Sequence, residues 1–163
     1  MLYIFGIVFL LLLVFGIILY NKYNSINDIN NKLDISLEKI KELVDFKNTK
    51  VKEILEIVND EKYNYRYEHI SDEFTLRENE IFILFWDLKK DFESNKKVNK
   101  IILEVEKNEN DLEGLKDFYN SNINLYNEVY EKIPFNVFFK LLKFKPRNSF
   151  ESKKIEDYEI LKD

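Results

Sequence analysis

The amino-acid sequence predicts an all-α protein, in which an N-terminal transmembrane helix precedes an antiparallel up-and-down bundle of three long helices and a short C-terminal helix. Three observations support this prediction. The first twenty residues contain no charged side chain. No Gly or Pro stands between Gly16 and Gly114, and a chain with so few breakers favours helix. Hydrophobic residues beyond the apolar segment recur at steps of three and four, the period of a helix face.

The apolar segment, residues 2–20, is predicted to cross a membrane. As a helix it would be about 29 Å long, which matches a bilayer core of about 30 Å. Tyr3 and Tyr20 stand near its ends, where amphipathic rings favour the membrane–water interface. A cleaved signal peptide is the alternative, but no Lys or Arg precedes the run and the residues after it make a poor cleavage site. Residues 1–21 are therefore assigned as an anchor whose partner is the lipid bilayer.

The flanks of the anchor predict its orientation. No Lys or Arg precedes the apolar segment, whereas several lysines follow it, and the positive-inside rule places the side with more Lys and Arg in the cytoplasm. We therefore expect a single-pass protein of the cell membrane with a cytoplasmic C-terminal domain. The lysines concerned are Lys22, Lys32, Lys39 and Lys41.

Residues 22–151 are predicted to form the bundle, and the first bundle helix has an apolar stripe with one gap, at Lys47. The stripe is long enough to indicate a bundle or coiled coil rather than an ordinary globular helix. Nothing between Tyr20 and Ile26 must break the chain, so the anchor helix could continue directly into this one. The stripe comprises Ile26, Ile29, Leu33, Leu37, Ile40, Val44, Val51, Ile54 and Val58.

Two further long helices are expected after the stretch "NDEKYNYRYEH", which we interpret as a connection. Ser71 is the expected N-cap of the second helix, and residues 81–86 are apolar all round. The third helix should follow the turn "ESNKK" and stop at Pro134, because proline disfavours the helical region for the preceding residue. The stripes of these helices are Phe74, Ile81, Leu84, Phe85, Leu88 and Phe92, then Val98, Ile101, Ile102, Val105, Leu112, Leu115, Tyr119, Ile123, Tyr126 and Val129.

A short amphipathic segment, "FNVFFKLLKF", follows Pro134, and residues 152–163 are expected to be a charged, flexible tail. The segment should fold back onto the end of the bundle, burying Phe138 or Phe139 and Phe144 while its lysines stay in water. Contact with anionic lipid is the alternative for this basic and aromatic patch. Three antiparallel helices would leave the segment at the end of the bundle far from the membrane.

The pair Tyr-Asn occurs twice in the third helix, seven residues apart. Tyr119 and Tyr126 therefore share one helix face, on which Ile123 lies between them. Asn120 and Asn127 form a parallel polar ladder one position further on. We expect this ladder to fix helix register through hydrogen bonds between helices, and recognition of a partner is the alternative function.

These motifs resemble the LemA family of single-pass bacterial membrane proteins. The family pattern has a Tyr-Asn pair, a second pair seven residues later, a Phe-Pro-like stop and an ending of the form "GFKPR..FE". The match also includes Tyr23, Asn24 and Asp34 near the anchor and Asp91, Asn95, Glu109 and Asn110 upstream. The matching C-terminal residues are Tyr119, Asn120, Tyr126, Asn127, Ile133, Pro134, Asn136, Phe144, Lys145, Pro146, Arg147, Phe150 and Glu151.

The resemblance implies an N-terminal anchor and a four-helix up-and-down bundle, and it implies no established enzymatic activity. Genes of such proteins often lie near those of membrane metalloproteases, which suggests a role in envelope upkeep. The chain departs from the family pattern at Asp45, where a Pro is usual, and around Ile40, where a basic pair is usual. Residues 59–90 have no clear counterpart.

Composition excludes several kinds of chemistry. The chain has no Cys and one His, so thiol catalysis, thiolate metal sites and His-rich zinc sites are excluded. A net charge of −5 gives no general attraction to nucleic acid. Glu68 and His69 are neighbours, and we interpret them as loop residues rather than as a catalytic pair. The acidic cluster of Glu104, Glu106, Glu109, Asp111 and Glu113 is interpreted as a solvated face rather than a metal site.

The sequence therefore predicts no catalytic, cofactor-binding or metal-binding residue and no enzymatic activity. We expect a membrane-anchored interaction or scaffold module of the bacterial envelope, with an envelope protein as its partner and homo-oligomer formation left open. The alternatives are a small-molecule or metal-dependent enzyme with its site inside the bundle, and a self-assembling protein that shapes membranes. The candidate interaction residues are Tyr119, Asn120, Tyr126, Asn127, Pro134, Phe144, Lys145, Pro146 and Arg147.

Overall fold

The computed structural model describes residues 2–150, and within this range the chain is all helical with no strand. The predicted fold class is confirmed. The tail at 152–163 and the motif residue Glu151 lie outside the described residues. The helices are α1 (Leu2–Val58), α2 (Glu61–Glu68), α3 (Phe74–Phe92), α4 (Lys96–Glu131) and α5 (Phe135–Leu141).

The first helix, α1, is unbroken from the apolar segment into the bundle. Within the described residues, it alone has a stretch long and apolar enough to cross a membrane. The large apolar side chains of that stretch, from Tyr3 to Tyr20, are exposed except for Leu19, which is half-buried, as they would be against lipid. Gly6 and Gly16 do not interrupt the helix, and no other group approaches within 4 Å of where a Cβ would lie.

The described residues divide into two compact units. One, here called the anchor unit, contains the residues up to Leu37 together with Phe118–Phe150. The other, called the core unit, contains Glu38–Asp117. The two long helices α1 and α4 each contribute one part to each unit.

The core unit is built from four passes of helix. Ion pairs between Lys47 and Glu109 and between Lys50 and Glu104 show that α4 runs antiparallel to α1. Pairs between Lys89 and Glu106 and between Lys116 and Glu78 likewise show that α3 and α4 are antiparallel. The hydrophobic core contains Val51, Ile54, Leu55, Tyr63, Ile81, Phe82, Leu84, Phe85, Trp86, Leu88, Val98, Ile101, Ile102 and Val105.

The predicted connection after α1 contains a helix of its own, α2. The Asp60 carboxylate accepts a hydrogen bond from the Lys62 N–H at 2.9 Å and so caps the first turn. Tyr63 is buried and Tyr65 is exposed, so the alternation of tyrosines does not reflect a strand. The predicted cap at Ser71 is wrong, because α3 begins three residues later, at Phe74.

The anchor unit contains the first part of α1, the end of α4, α5 and the residues that follow. The helix α4 ends at Glu131, just before Pro134, as predicted from the proline. Pro134 is the N-cap of α5 and follows a cis peptide bond. The buried hydrophobic residues of this unit are Ile26, Leu33, Tyr119, Ile123, Tyr126, Tyr130 and Phe139.

The C-terminal segment does not lie at the end of the bundle that three helices would predict. The ring of Phe144 contacts the ring of Tyr23, with centroids 6.2 Å apart, and Tyr23 is three residues beyond Tyr20, where the apolar segment ends. The prediction was wrong because it did not count α2 as a pass. With α2 included, α4 runs towards the anchor rather than away from it.

Candidate functional site

The two Tyr-Asn pairs of α4 bind residues 144–150, here called the C-terminal segment. The side-chain amide of Asn120 donates to the Phe150 carbonyl and accepts from the Phe150 N–H, both at 2.8 Å. Asn127 makes the same two contacts with Arg147, at 3.2 and 3.4 Å. Each amide thus pairs with a peptide backbone as a neighbouring strand would. The expected bonds between helices are replaced by bonds to this segment.

The seven-residue spacing of the repeat has a geometric reason. Seven residues of α-helix rise about 10.5 Å. The two backbone groups that the asparagines bind are three residues apart in sequence, which spans about 10 Å in an extended chain. Asn120 binds the later residue, Phe150, and Asn127 the earlier one, Arg147, so the segment runs antiparallel to α4. A heptad repeat of Asn therefore matches three residues of extended chain.

The tyrosines of the repeat hold the same segment. The Tyr126 hydroxyl donates a hydrogen bond of 2.8 Å to the Lys145 carbonyl. The ring of Tyr119 packs on that of Phe150 with centroids 5.0 Å apart. Burial raises the pKa of the Tyr126 hydroxyl above its ordinary value of 10.0, so the group is a hydrogen-bond donor at neutral pH and above.

The side chain of Arg147 joins the C-terminal segment to α1. Its Nη2 donates to Asn30 Oδ1 and to Asp34 Oδ1, each at 2.7 Å. Asn30 in turn donates to the other oxygen of Asp34 at 3.1 Å. Burial lowers the pKa of Arg147, but hydrogen bonding to Asp34 outweighs it and the pKa lies above its ordinary value. One nitrogen of the guanidinium thus donates to both side chains of α1.

The turn between α5 and the segment is stabilised by a C-cap. Lys143 has a φ of 64°, in the left-handed region. Its N–H bonds the Lys140 carbonyl, and the N–H of Phe144 bonds the carbonyl of Phe139, which is the Schellman arrangement. The rings of Phe139 and Phe144 are in contact, 5.8 Å between centroids. Phe139 is fully buried while Lys140 and Lys143 are exposed, as predicted for the fold-back, but Phe144 is only half-buried where burial was expected.

Most of the residues singled out from the sequence therefore meet in the anchor unit. Lys145 takes part through its backbone carbonyl. Pro134 is exposed at the turn before α5, and Pro146 is exposed within the C-terminal segment. Asn30 was missed by the sequence reasoning. Its position four residues before Asp34, one helical turn away on the same face, is the signal that could have found it.

The core unit contains charged side chains at helix positions that face the core. Lys116 is 0% exposed, and its Nζ lies 2.8 Å from Glu78 and 2.9 Å from Glu113. Burial lowers the pKa of Lys116, but the carboxylates outweigh it and raise the pKa above its ordinary value. Lys47, the gap in the stripe of α1, is also buried and pairs with Glu109. Glu109 is thus not on the solvated face predicted for the acidic cluster.

These buried charges follow the heptad pattern of the helices. In α4, Glu109 and Lys116 continue the row of Ile123 and Tyr130 at steps of seven. Lys47 occupies the equivalent place in α1, in line with Ile40 and other buried apolar residues. Core positions of a heptad are normally apolar, and a polar residue there specifies register at a cost in stability.

A polar cluster lines an open depression of about 540 Å³ beside α2 and α3. The Tyr63 hydroxyl donates to the Asp91 carboxylate, and Arg66 pairs with Asp87 at 2.7 Å. Burial, followed by the hydrogen bond to Asp91, raises the pKa of Tyr63. The groups are thus engaged with one another across α2 and α3. Among the described residues, no three His, Cys, Asp or Glu side chains are grouped to hold a metal ion.

Comparison with known protein families identifies a match over most of the chain. A model of the LemA family matches residues 25–160, which is most of the chain. The chain belongs to the LemA family. Neither the curated proteins nor the solved structures contain a significant match. The resemblance inferred from the Tyr-Asn pairs and the Phe-Lys-Pro-Arg ending is therefore confirmed.

The LemA motif residues act together as a clasp in this chain. Asn120, Asn127 and Arg147 join the end of α4, the C-terminal segment and α1 within one unit. Lys143 stands where the family pattern has Gly, at the one position of the turn that needs a left-handed backbone. The chemical role of these contacts is to hold the end of α4, the C-terminal segment and α1 together. Their polar atoms are directed at the chain itself.

Proposed function

We propose that this LemA-family protein is a membrane-anchored interaction module, a scaffold for other proteins of the bacterial envelope, without enzymatic chemistry of its own. The observation that carries the proposal is the continuity of α1. One helix, Leu2–Val58, contains both the candidate membrane span and the first helix of the bundle, with no linker between them. A bundle joined in this way is held at the membrane surface, where it can present a surface to other membrane proteins.

The engagement of the polar side chains supports the same proposal. Arg147 and the two asparagines bind the chain's own backbone and α1. In the core unit, Tyr63 and Arg66 bind neighbouring carboxylates. A catalytic group needs an atom directed at a substrate. Because these side chains are engaged in internal contacts, they favour a role in which the protein acts by binding other proteins through its surface.

The surface offered by the core unit includes exposed apolar side chains suited to protein contacts. Leu76, Leu103 and Tyr65 are all more than a third exposed, on three different helices. Exposed apolar and aromatic residues of this kind anchor protein interfaces, where aromatic side chains are enriched. We place this surface in the cytoplasm, because Lys22 and the lysines after it follow the candidate span and none precedes it.

Proximity labelling in the living host tests the proposal. A labelling enzyme is joined to the C-terminal end of the full chain, and the control joins the same enzyme to residues 1–24 alone. Both fusions report the neighbourhood of the membrane, but only the first carries the bundle. We expect a small set of envelope proteins to be enriched at least several-fold by the full chain over the control. Equal labelling by the two fusions would contradict a scaffold role.

A second arm identifies the bundle surface involved. Tyr65→Ser and Leu103→Ser remove exposed apolar contacts and should reduce the enriched set without lowering the melting temperature. The labelling experiment also separates the alternatives. Enrichment of only further copies of this chain would favour self-assembly. A metal analysis of the purified full chain addresses the enzyme alternative, and we expect less than stoichiometric metal.

A further inference from the structure

One face of α5 and its flanks is apolar and exposed. Ile133 is 83% exposed, Val137 62% and Leu141 76%. These residues are spaced at steps of four, and those within α5 share a face one turn apart. The opposite side of the helix buries Phe139 in the anchor unit. The helix α5 thus has two apolar sides, of which one packs in the anchor unit and the other is exposed.

Lysines surround this exposed face. Four of them, Lys132, Lys140, Lys143 and Lys145, are exposed. The acids nearby are Glu128, which pairs with Lys132 at 2.5 Å, and Glu131. The three lysines from position 140 to 145 follow one another at short intervals with no acid between them. An apolar strip bordered by lysines is the composition of a helix that lies at a membrane surface.

The anchor unit places this face next to the end of the membrane span. Phe144 contacts Tyr23, which is one helical turn beyond Tyr20. The pKa of Glu128 is lowered mainly by the hydrogen bond to Lys132 and also by the charge of Lys22, which is consistent with the last turn of α4 lying near this part of α1. Leu142 and Lys143 line a depression together with Asn27 of α1. All these contacts are with the first two turns after the apolar segment.

We propose that α5 is a second membrane contact, in which Ile133, Val137 and Leu141 enter the interface of the leaflet where α1 emerges and the neighbouring lysines bind anionic lipid headgroups. The occupant of the face is the lipid surface, because the turn after α5 contacts α1 just beyond the span and the lysines around the face are complementary to anionic lipid. Long lysine side chains can lie along the apolar strip and reach the headgroups with their ammonium ends. The inference rests on the membrane location in the proposed function, but not on any protein partner.

The experiment measures the depth of chosen positions in lipid. The chain has no Cys, so a single Cys can be introduced and labelled with an environment-sensitive fluorophore. Val137→Cys and Leu141→Cys report on the face, in full-length protein reconstituted one copy per nanodisc. Ile35→Cys is the matched control, since Ile35 is 56% exposed, apolar and in the anchor unit, but fifteen residues beyond Tyr20. Brominated lipids quench fluorophores that lie within the bilayer.

The expected result is strong quenching at positions 137 and 141 and little at position 35, with about a twofold or larger difference in quenched fraction. Quenching should be greater with phosphatidylglycerol than with phosphatidylcholine alone. Lys140→Gln, Lys143→Gln and Lys145→Gln together should remove that lipid dependence, because each lysine near an anionic surface favours the bound state about fivefold. Salt should weaken the difference in the same way.

Two outcomes would overturn the proposal. Quenching at 137 and 141 no greater than at 35 would show that the face stays in water. A blue-shifted emission without quenching by brominated lipid would show that another part of this chain, rather than lipid, covers the face. Both are independent of the labelling experiment for the proposed function. If the quenching experiment shows no lipid contact while proximity labelling still enriches envelope proteins, this inference is rejected and the proposed function is not.

Discussion

The buried pair of Lys116 and Glu78 is the contact whose removal has the most predictable effect. Lys116→Met keeps the length of the side chain and removes its charge. The ammonium lies 2.8 Å from Glu78, and the two side chains are 0% and 5% exposed. Glu113, the other partner, is 21% exposed and can turn to water. The cost of the change is therefore set mainly by Glu78.

Removal of one partner from a buried ion pair costs about 3–5 kcal/mol, because the other charge stays in a poorly solvating site. Whole domains are stable by about 5–15 kcal/mol. For a chain of this size, each kcal/mol shifts the melting temperature by about 2–4 °C. We therefore expect Lys116→Met to lower the melting temperature by about 6–20 °C. Replacement of both partners, Lys116→Met with Glu78→Leu, should restore most of the loss or exceed the original stability.

The assay is thermal unfolding of the full chain in detergent, followed by circular dichroism at 222 nm. Lys132→Met is the matched control, because it removes the charge of a Lys in an exposed i,i+4 pair just beyond the end of the same helix and should leave the melting temperature unchanged. An unchanged melting temperature for Lys116→Met would refute the claim that the pair is buried. A double variant less stable than the single one would refute the argument from desolvation.

Three further predictions use the same assay. Lys143→Gly should raise stability by about 0.5–1 kcal/mol by relieving a left-handed backbone, whereas Lys140→Gly, inside α5, should lower it by a similar amount; the same sign for both would contradict the turn geometry. Tyr63 has a raised pKa, so its contribution is present below its ordinary pKa of 10.0 and is lost as pH rises above it; Tyr63→Phe should flatten this alkaline loss, and the exposed Tyr65→Phe should not. Asn127→Leu should cost about 1–3 kcal/mol by leaving the backbone of the C-terminal segment unbonded, and an unchanged melting temperature would show that the segment is not held there.

The helical class and the long stripes could be predicted from the sequence because they depend on local pattern. The stripe of α1, the stop before Pro134 and the burial of Phe139 follow from periodicity, from proline and from the apolar character of the residues. Each of these signals acts within a few residues. The heptad repeat of Tyr and Asn was likewise visible, and its assignment to one face was correct.

The buried charges could not be predicted in this way, because their partners are distant in sequence. Lys47 and Glu109 are 62 residues apart, and Lys116 and Glu78 are 38 apart. A lysine in a stripe looks like a gap until the opposite helix supplies its carboxylate. The same limit applies to Asn127, since a helix pattern does not show that an amide will bind a backbone twenty residues later.

The helix α2 was missed because its tyrosines alternate, and this one omission reversed the position of the C-terminal segment. An up-and-down bundle places the end of its last helix at one end or the other according to whether the number of passes is odd or even. Eight residues from Glu61 to Glu68 therefore decide where the most specific motif of the chain lies. A short helix with a weak sequence pattern can thus reverse the direction of every helix that follows it.

The residues that identify the family have a structural role in this chain. Asn120 and Asn127 bind the backbone of the C-terminal segment, and Arg147 binds α1. These contacts lie within the anchor unit, which also contains the candidate membrane span. An amide suits the backbone contacts, since it presents a donor and an acceptor as a peptide does, and the Nη2 of Arg147 donates to both Asn30 and Asp34. The motif that identifies the family is thus explained by architecture. We therefore expect that a protein partner, as proposed above, would be recognised by residues outside the motif, such as the exposed apolar residues of the core unit.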